Sequence, residues 1–243
     1  MKIYFGGDSF LYGYGLNRKD SLPYLFSKYV NSDFLDDSQS ESSNKLIYLR
    51  TINNLMSDES CDFYFIMWSR GIDRRFERIL DSDFSERWVN ILPHPDHAKK
   101  DKIRNDINKF VMERLVTDES SFLNTLTYIV TLQELLKSRN KRYLFAFAND
   151  NFLDSYLEYK NEFNVVVNTP STSKFEKPIK ETNFISLINK LDFDYIVMES
   201  VSTFINSKEL NKHPTEEECI IFVKHLFEKY FDLIGFRGTL PKE

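Results

Sequence analysis

The chain has 243 residues, 42% hydrophobic and 15% aromatic, and carries a net charge of −5. That apolar share supports a sizeable core and excludes a disordered chain, while the acidic balance argues against a dedicated nucleic-acid coat without excluding a local basic patch. No stretch approaches 18 consecutive apolar residues, which argues against a membrane span, and the two cysteines, Cys61 and Cys219, make neither a disulfide framework nor a metal-ligand pair.

In chain order, Lys2–Gly6 is a short apolar run that reads as a strand covered on both faces. It starts so early that a charged leader and an apolar signal segment have no room before it, so a cytoplasmic location is expected. The run enters FGGDSFLYGYG, residues 5 to 15, which holds four of the seven glycines around Asp8-Ser9. Asp20 is placed to cap a helix through Tyr29, with Pro23 in its first turn. Ser42 or Ser43 is placed to cap Asn44–Met56, where Leu46, Leu49, Ile52 and Leu55 fall near one stripe. Asp62–Trp68 reads as a second strand.

The segment from about Arg74 to Asp118 is long for a connection. It reads either as a lid or insertion or as two ordinary helices with a Pro-rich joint at LPHPDH, residues 92 to 97. A helix-prone region follows from about Asp101 to Lys137. Strands are expected at Arg142–Ala148 and Asp194–Met198, with a weaker one at Asn164–Val167 and a helix at Glu181–Lys190 between. The last helix, Glu216–Phe231, has the clearest start: Thr215 and Glu218 form a capping box, and Pro214 stops any helix before it. This alternation predicts one α/β domain over residues 1–243 with a mostly parallel sheet. In such sheets sites form at the carboxyl ends of strands, so the GGDS turn, Ser69–Asp73 and Asn149–Asp150 are expected on one rim.

A serine after a strand needs a base to take its proton and donors aimed at the oxyanion that forms. Glycines beside it let the backbone approach a substrate. The plainer alternative is a Gly-rich turn in which Asp8 and Ser9 only cap a helix. Of the four histidines, His213 precedes a proline and a helix start, and so belongs on the same rim as a candidate base. His225 reads as a helix-face residue. His94 and His97 have metal-like spacing but only a loop context.

Gly7-Asp8-Ser9 after a first strand, followed by Gly13 and Gly15, resembles the first block of the SGNH, or GDSL-type, hydrolase family. His213 before the final helix resembles that family's last block. SSNKLIYLRT, residues 42 to 51, is similar to the second block, and FIMWSRGIDRRFE, residues 65 to 77, occupies the place of the third. The latter resembles divergent members found in tailed-phage genomes. The resemblance implies a three-layer α/β/α sandwich with a flavodoxin-like sheet, and an esterase or deacetylase acting on a small or carbohydrate-linked ester. It implies Ser9 as nucleophile and His213 as base, with no metal or organic cofactor.

The sequence departs from the family pattern at three places. No glycine occurs in DSQSESSN, so the second-block position falls at Glu41 or a neighbour such as Asn44. Ser69 or Arg70 stands where the third block has its asparagine. Leu210 stands where the last block has its acid, leaving Glu209 or Asn211 to orient His213. Gly7, Asp8, Glu41, Asn44, Ser69 and Arg70 are therefore the candidate oxyanion and substrate-binding set. Arg70, Arg74 and Arg78 share a face if helical, which reads as a solvated face or as an anion site. Two other readings are a catalytically degraded binding or structural accessory protein, with a protein partner, and phosphate or nucleic-acid recognition through the arginines.

Overall fold

The computed structural model describes residues 1–40, 42–57, 60–69, 76–79, 88–91, 118–149, 186–205 and 213–234. Four strands, β1 (Lys2–Gly6), β2 (Asp33–Asp36), β3 (Phe63–Trp68) and β6 (Arg142–Phe147), form one all-parallel sheet in the order β2-β1-β3-β6. A separate antiparallel pair joins β4 (Phe76–Ile79) to β5 (Trp88–Ile91), with Phe76 opposite Ile91. That pair is what is described within the predicted insertion from Arg74 to Asp118. Of the helix-prone region from Asp101, residues 101–117 lie outside the described residues.

The helices are α1 (Ser9–Tyr12), α2 (Leu22–Val30), α3 (Asn44–Met56), α4 (Asp118–Ser138) and α5 (Glu216–Ile234). Strand side chains alternate between two faces. Tyr64, Ile66 and Trp68 join Tyr4, Tyr143, Phe145 and Phe147 under α3 and α4, with Ile47, Leu55, Phe122 and Leu126. Phe63, Phe65 and Met67 join Ile3, Phe5, Leu144 and Ala146 under α1, α2 and α5, with Leu11, Phe26, Phe222 and Leu226. The result is the expected three-layer α/β/α sandwich. Cys61 and Cys219 are free thiols buried in the two different layers.

Several expectations are corrected. Helix α2 starts at Leu22 after Ser21, not after Asp20, which closes a short 3₁₀ turn, Arg18–Asp20. Ser21 Oγ donates back to the Arg18 carbonyl (2.7 Å). Helix α3 keeps its predicted bounds and is capped by Ser43, whose Oγ accepts the Leu46 N–H. Of its expected stripe, Leu46 and Leu55 are buried and Ile52 packs on the core, but Leu49 is 36% exposed, and the buried face also takes in Ile47, Thr51 and Asn54. Thr51 and Asn54 can be buried because Thr51 donates to the Ile47 carbonyl and Asn54 accepts from Tyr64 Oη.

The strand expected at Asp194–Met198 is a 3₁₀ turn, Phe193–Tyr195, followed by one parallel bridge from Ile196 to Phe145. Gln133 of α4 explains this. Its side chain takes the Asp192 N–H and donates to the Lys190 carbonyl, so the chain reaches the sheet already tied to a helix. Ile196 nevertheless occupies the fifth position, completing the 2-1-3-4-5 order of flavodoxin-like sheets. The Asn164–Val167 expectation lies outside the described residues, as does all of Glu181–Lys190 before residue 186.

In this order the connections leave β1 in opposite directions, toward β2 and toward β3. That switch point opens a crevice at the carboxyl ends of β1 and β3. Gly7 closes its floor: a Cβ there would lie 2.8 Å from Leu11 Cδ2 and 3.2 Å from Met67 Cβ. Replacing Gly7 with Ala is expected to overpack this junction and destabilise the fold by roughly 1–3 kcal/mol, read by urea or thermal unfolding.

Candidate active site

Strand-to-helix alternation sends the carboxyl ends of the strands and the N-termini of the following helices to one rim. Ser9 is the first residue of α1. Asp8 caps that turn, its Oδ1 accepting the Phe10 N–H (3.0 Å), and Asp8 is buried. The Ser9 N–H has no acceptor among the described residues, as the first helical position requires.

The last helix brings the second group. Thr215 and Glu218 form the predicted capping box: Glu218 Oε2 accepts the Thr215 N–H (2.8 Å), and Thr215 Oγ1 accepts the Glu218 N–H (3.3 Å). Since α5 packs on the same face as α1, His213 just before this cap is delivered to the Ser9 rim. His213 Nε2 and Ser9 Oγ are 2.8 Å apart, across 204 residues of sequence. Both residues are half-buried.

Two aromatic rings pack on the imidazole. Phe10 and Tyr14 each have a ring centroid 5.1 Å from that of His213. Burial holds the His213 pKa below the ordinary histidine value, opposed by the negative charge of Asp8. The ring is therefore neutral near pH 7, and a neutral imidazole at hydrogen-bonding distance can accept the hydroxyl proton. Among the described residues no carboxylate hydrogen-bonds this ring; Asp8 acts on it through charge.

The remaining predicted residues occupy different places. Asn44, 1% exposed, is the first residue of α3. Its Oδ1 accepts the Ser69 N–H (2.9 Å) and its Nδ2 donates to Thr125 Oγ1 of α4 (3.1 Å). Ser69 is buried just after β3, and its carbonyl accepts Asn149 Nδ2 (3.0 Å). Asn44, Ser69 and Thr125, all buried, and the half-buried Asn149 thus form a polar chain that ties the rim together. The Gly7 carbonyl accepts the Gln39 N–H (3.1 Å), fixing the β2–α3 connection to the same rim. Glu41, Arg70 and Glu209 lie outside the described residues, as do His94, His97, Arg74 and Arg75. His225 pairs with Glu199 on the flank of α5 (3.2 Å), away from Ser9 chemistry.

Sequence reading missed Tyr14 and Thr125, and it placed Asn149 on the rim only as a strand end, without a partner. For Tyr14 a signal existed, since it is the residue between Gly13 and Gly15. The other two are ordinary polar residues on a helix and at a strand end, and only the fold gives them a partner.

No protein-family model and no curated protein sequence matches the chain. Solved structures similar to it are SGNH/GDSL-family hydrolases and esterases, the family whose first block the GGDS turn resembles. One is TesA, at 9% identity and a TM-score of 0.49, covering 96% of this chain and 99% of that one. A second is the psychrotrophic esterase EstA from Pseudoalteromonas sp., at 10% identity and 0.49, covering 96% and 98%. A third is AlinE4, an SGNH-hydrolase family esterase, at 12% identity and 0.45, covering 96% and 94%. Among the described residues, no helix is long and apolar enough to cross a membrane.

Two outcomes are expected. The His213 ring, followed by NMR, titrates below the ordinary value of about 6.5. Its folded pKa is depressed, so the unfolded chain binds the extra proton first. Its contribution to stability is therefore complete above about pH 6.5 and is lost as pH falls through the folded pKa. Replacing Asn44 with Ala strands the Ser69 N–H and is expected to cost roughly 1–3 kcal/mol in unfolding free energy.

Proposed function

We propose that this protein is a serine hydrolase cleaving a small or carbohydrate-linked ester, with Ser9 as nucleophile and His213 as general base. The observation that carries the reading is the 2.8 Å approach of His213 Nε2 to Ser9 Oγ at the switch point of the sheet. The neutral imidazole accepts the hydroxyl proton as Oγ bonds to the ester carbon. The imidazolium then returns the proton to the departing alkoxide, leaving an acyl-serine. Water, deprotonated by the same imidazole, attacks the acyl-serine and releases the acid and free Ser9.

The Ser9 N–H, without an acceptor among the described residues, is the donor we assign to the oxyanion. The Asn44 side chain and the Ser69 backbone serve by holding the rim, because they bond to the scaffold. A site with few oxyanion donors is slow, since each such donor is worth on the order of a hundredfold in rate.

The test is labelling by a fluorophosphonate probe together with turnover of p-nitrophenyl acetate. Label is expected on Ser9, and Ser9→Ala or His213→Ala is expected to lower turnover by about 10³-fold or more. A folded protein that takes no label and turns over no ester ends this reading. It leaves the degraded binding or accessory protein, for which Ser9→Ala is without consequence.

A further inference from the structure

The three-residue stretch Gly13-Tyr14-Gly15 has no place in the core. Tyr14 is 58% exposed, yet its ring lies against the imidazole, 5.1 Å between centroids and inclined by 43°. The loop that presents it is tightly specified. The Gly13 and Tyr14 N–H groups both donate to the carbonyl of Ser9 itself, the latter at 3.1 Å. Gly13 and Gly15 have φ of 73° and 86°, in the left-handed region. A Cβ on Gly13 would lie 2.8 Å from Ser21 Cβ. Three contacts therefore close a circuit: Ser9 hydroxyl to imidazole, imidazole to Tyr14 ring, Tyr14 backbone to Ser9 carbonyl.

We propose that Tyr14 is a positioning residue for His213, its ring holding the imidazole against Ser9 and shielding it from water. This rests on the reading of His213 as general base. The imidazole makes one hydrogen bond among the described residues, to Ser9 Oγ, and a single bond leaves a ring free to rock about it. Phe10 supplies packing from the core, where it is buried, and Tyr14 supplies it from the solvent side. Among the described residues, the groups facing the ring are Asp8 and the Ser9 hydroxyl from the β1–α1 link, and the two aromatic rings from α1 and its loop. Removing the Tyr14 ring admits water to the imidazole, which favours the charged form and loosens the geometry. The ring does this work, and the phenol oxygen does not.

The experiment compares full-length protein carrying Tyr14→Ala or Tyr14→Phe with the parent, using His213→Ala to assign the His213 resonance. In Tyr14→Ala the imidazole midpoint is expected to move up toward the ordinary histidine value. The kcat for p-nitrophenyl acetate is expected to fall roughly tenfold with KM within about twofold, a fraction of what a well-placed base supplies. Tyr14→Phe is expected to restore both. An unchanged midpoint in a folded Tyr14→Ala protein overturns the proposal. So does a raised KM with unchanged kcat, which assigns Tyr14 to substrate contact instead. The titration needs no turnover, so it decides the role of Tyr14 even if Ser9 takes no fluorophosphonate label.

Discussion

Everything at the rim depends on the side-by-side pairing of β1 with β3, in register from Ile3 opposite Phe63 to Gly6 opposite Ile66. Both strands are buried almost throughout, and their side chains feed both layers of the core. Because β2 lies on the other side of β1, the connections diverge here and leave a gap at the strand ends. The chain fills that gap with small and polar groups: Gly7, Asp8, Ser9 and, from β3, Ser69. A larger residue at position 7 would press Leu11 of α1 away from Met67 and carry Ser9 with it.

The rim is held by two systems of different chemistry. On the α3/α4 side, Asn44, Thr125, Ser69 and Asn149 form hydrogen bonds in a buried environment, where each unmade bond is costly. On the α1/α5 side, His213 is held among the described residues by aromatic packing and one contact to Ser9. The first system spends its polar groups on the scaffold, and the second directs Nε2 of the imidazole at the Ser9 hydroxyl.

The parts legible in the sequence were those whose signal is local. The buried strands announced themselves as continuous apolar runs, and the cap of α5 as Thr215 with Glu218. Proximity of Ser9 to His213 followed from topology, since both sit where strands end and helices begin. What was not legible depended on tertiary partners. Strand β2, Asp33–Asp36, is flanked by acids and half-exposed, so it reads as a loop until β1 pairs with it. Ile196 bridges rather than forming a strand because Gln133 anchors the chain just before it. The buried face of α3 extends past Leu46 and Leu55 to Thr51 and Asn54, which are polar by type yet buried by virtue of bonds that no periodicity reveals. The bonds of Asn44 were equally hidden: its Oδ1 takes the Ser69 N–H and its Nδ2 reaches Thr125, a partner that lies on another helix.

Asp8 carries two tasks with one carboxylate. Its Oδ1 caps α1 through the Phe10 N–H, which fixes the turn bearing Ser9. Its charge is also what opposes the desolvation of His213. Desolvation prevails in the resting protein and keeps the imidazole neutral. If His213 then takes the Ser9 proton, the new positive charge appears beside a buried carboxylate in a poorly hydrated site, where their attraction exceeds its value in water. A hydrogen-bonded acid on the far ring nitrogen would stabilise the imidazolium more, but it would also raise the resting pKa. Charge acting across the turn gives the weaker assistance and leaves the resting imidazole neutral.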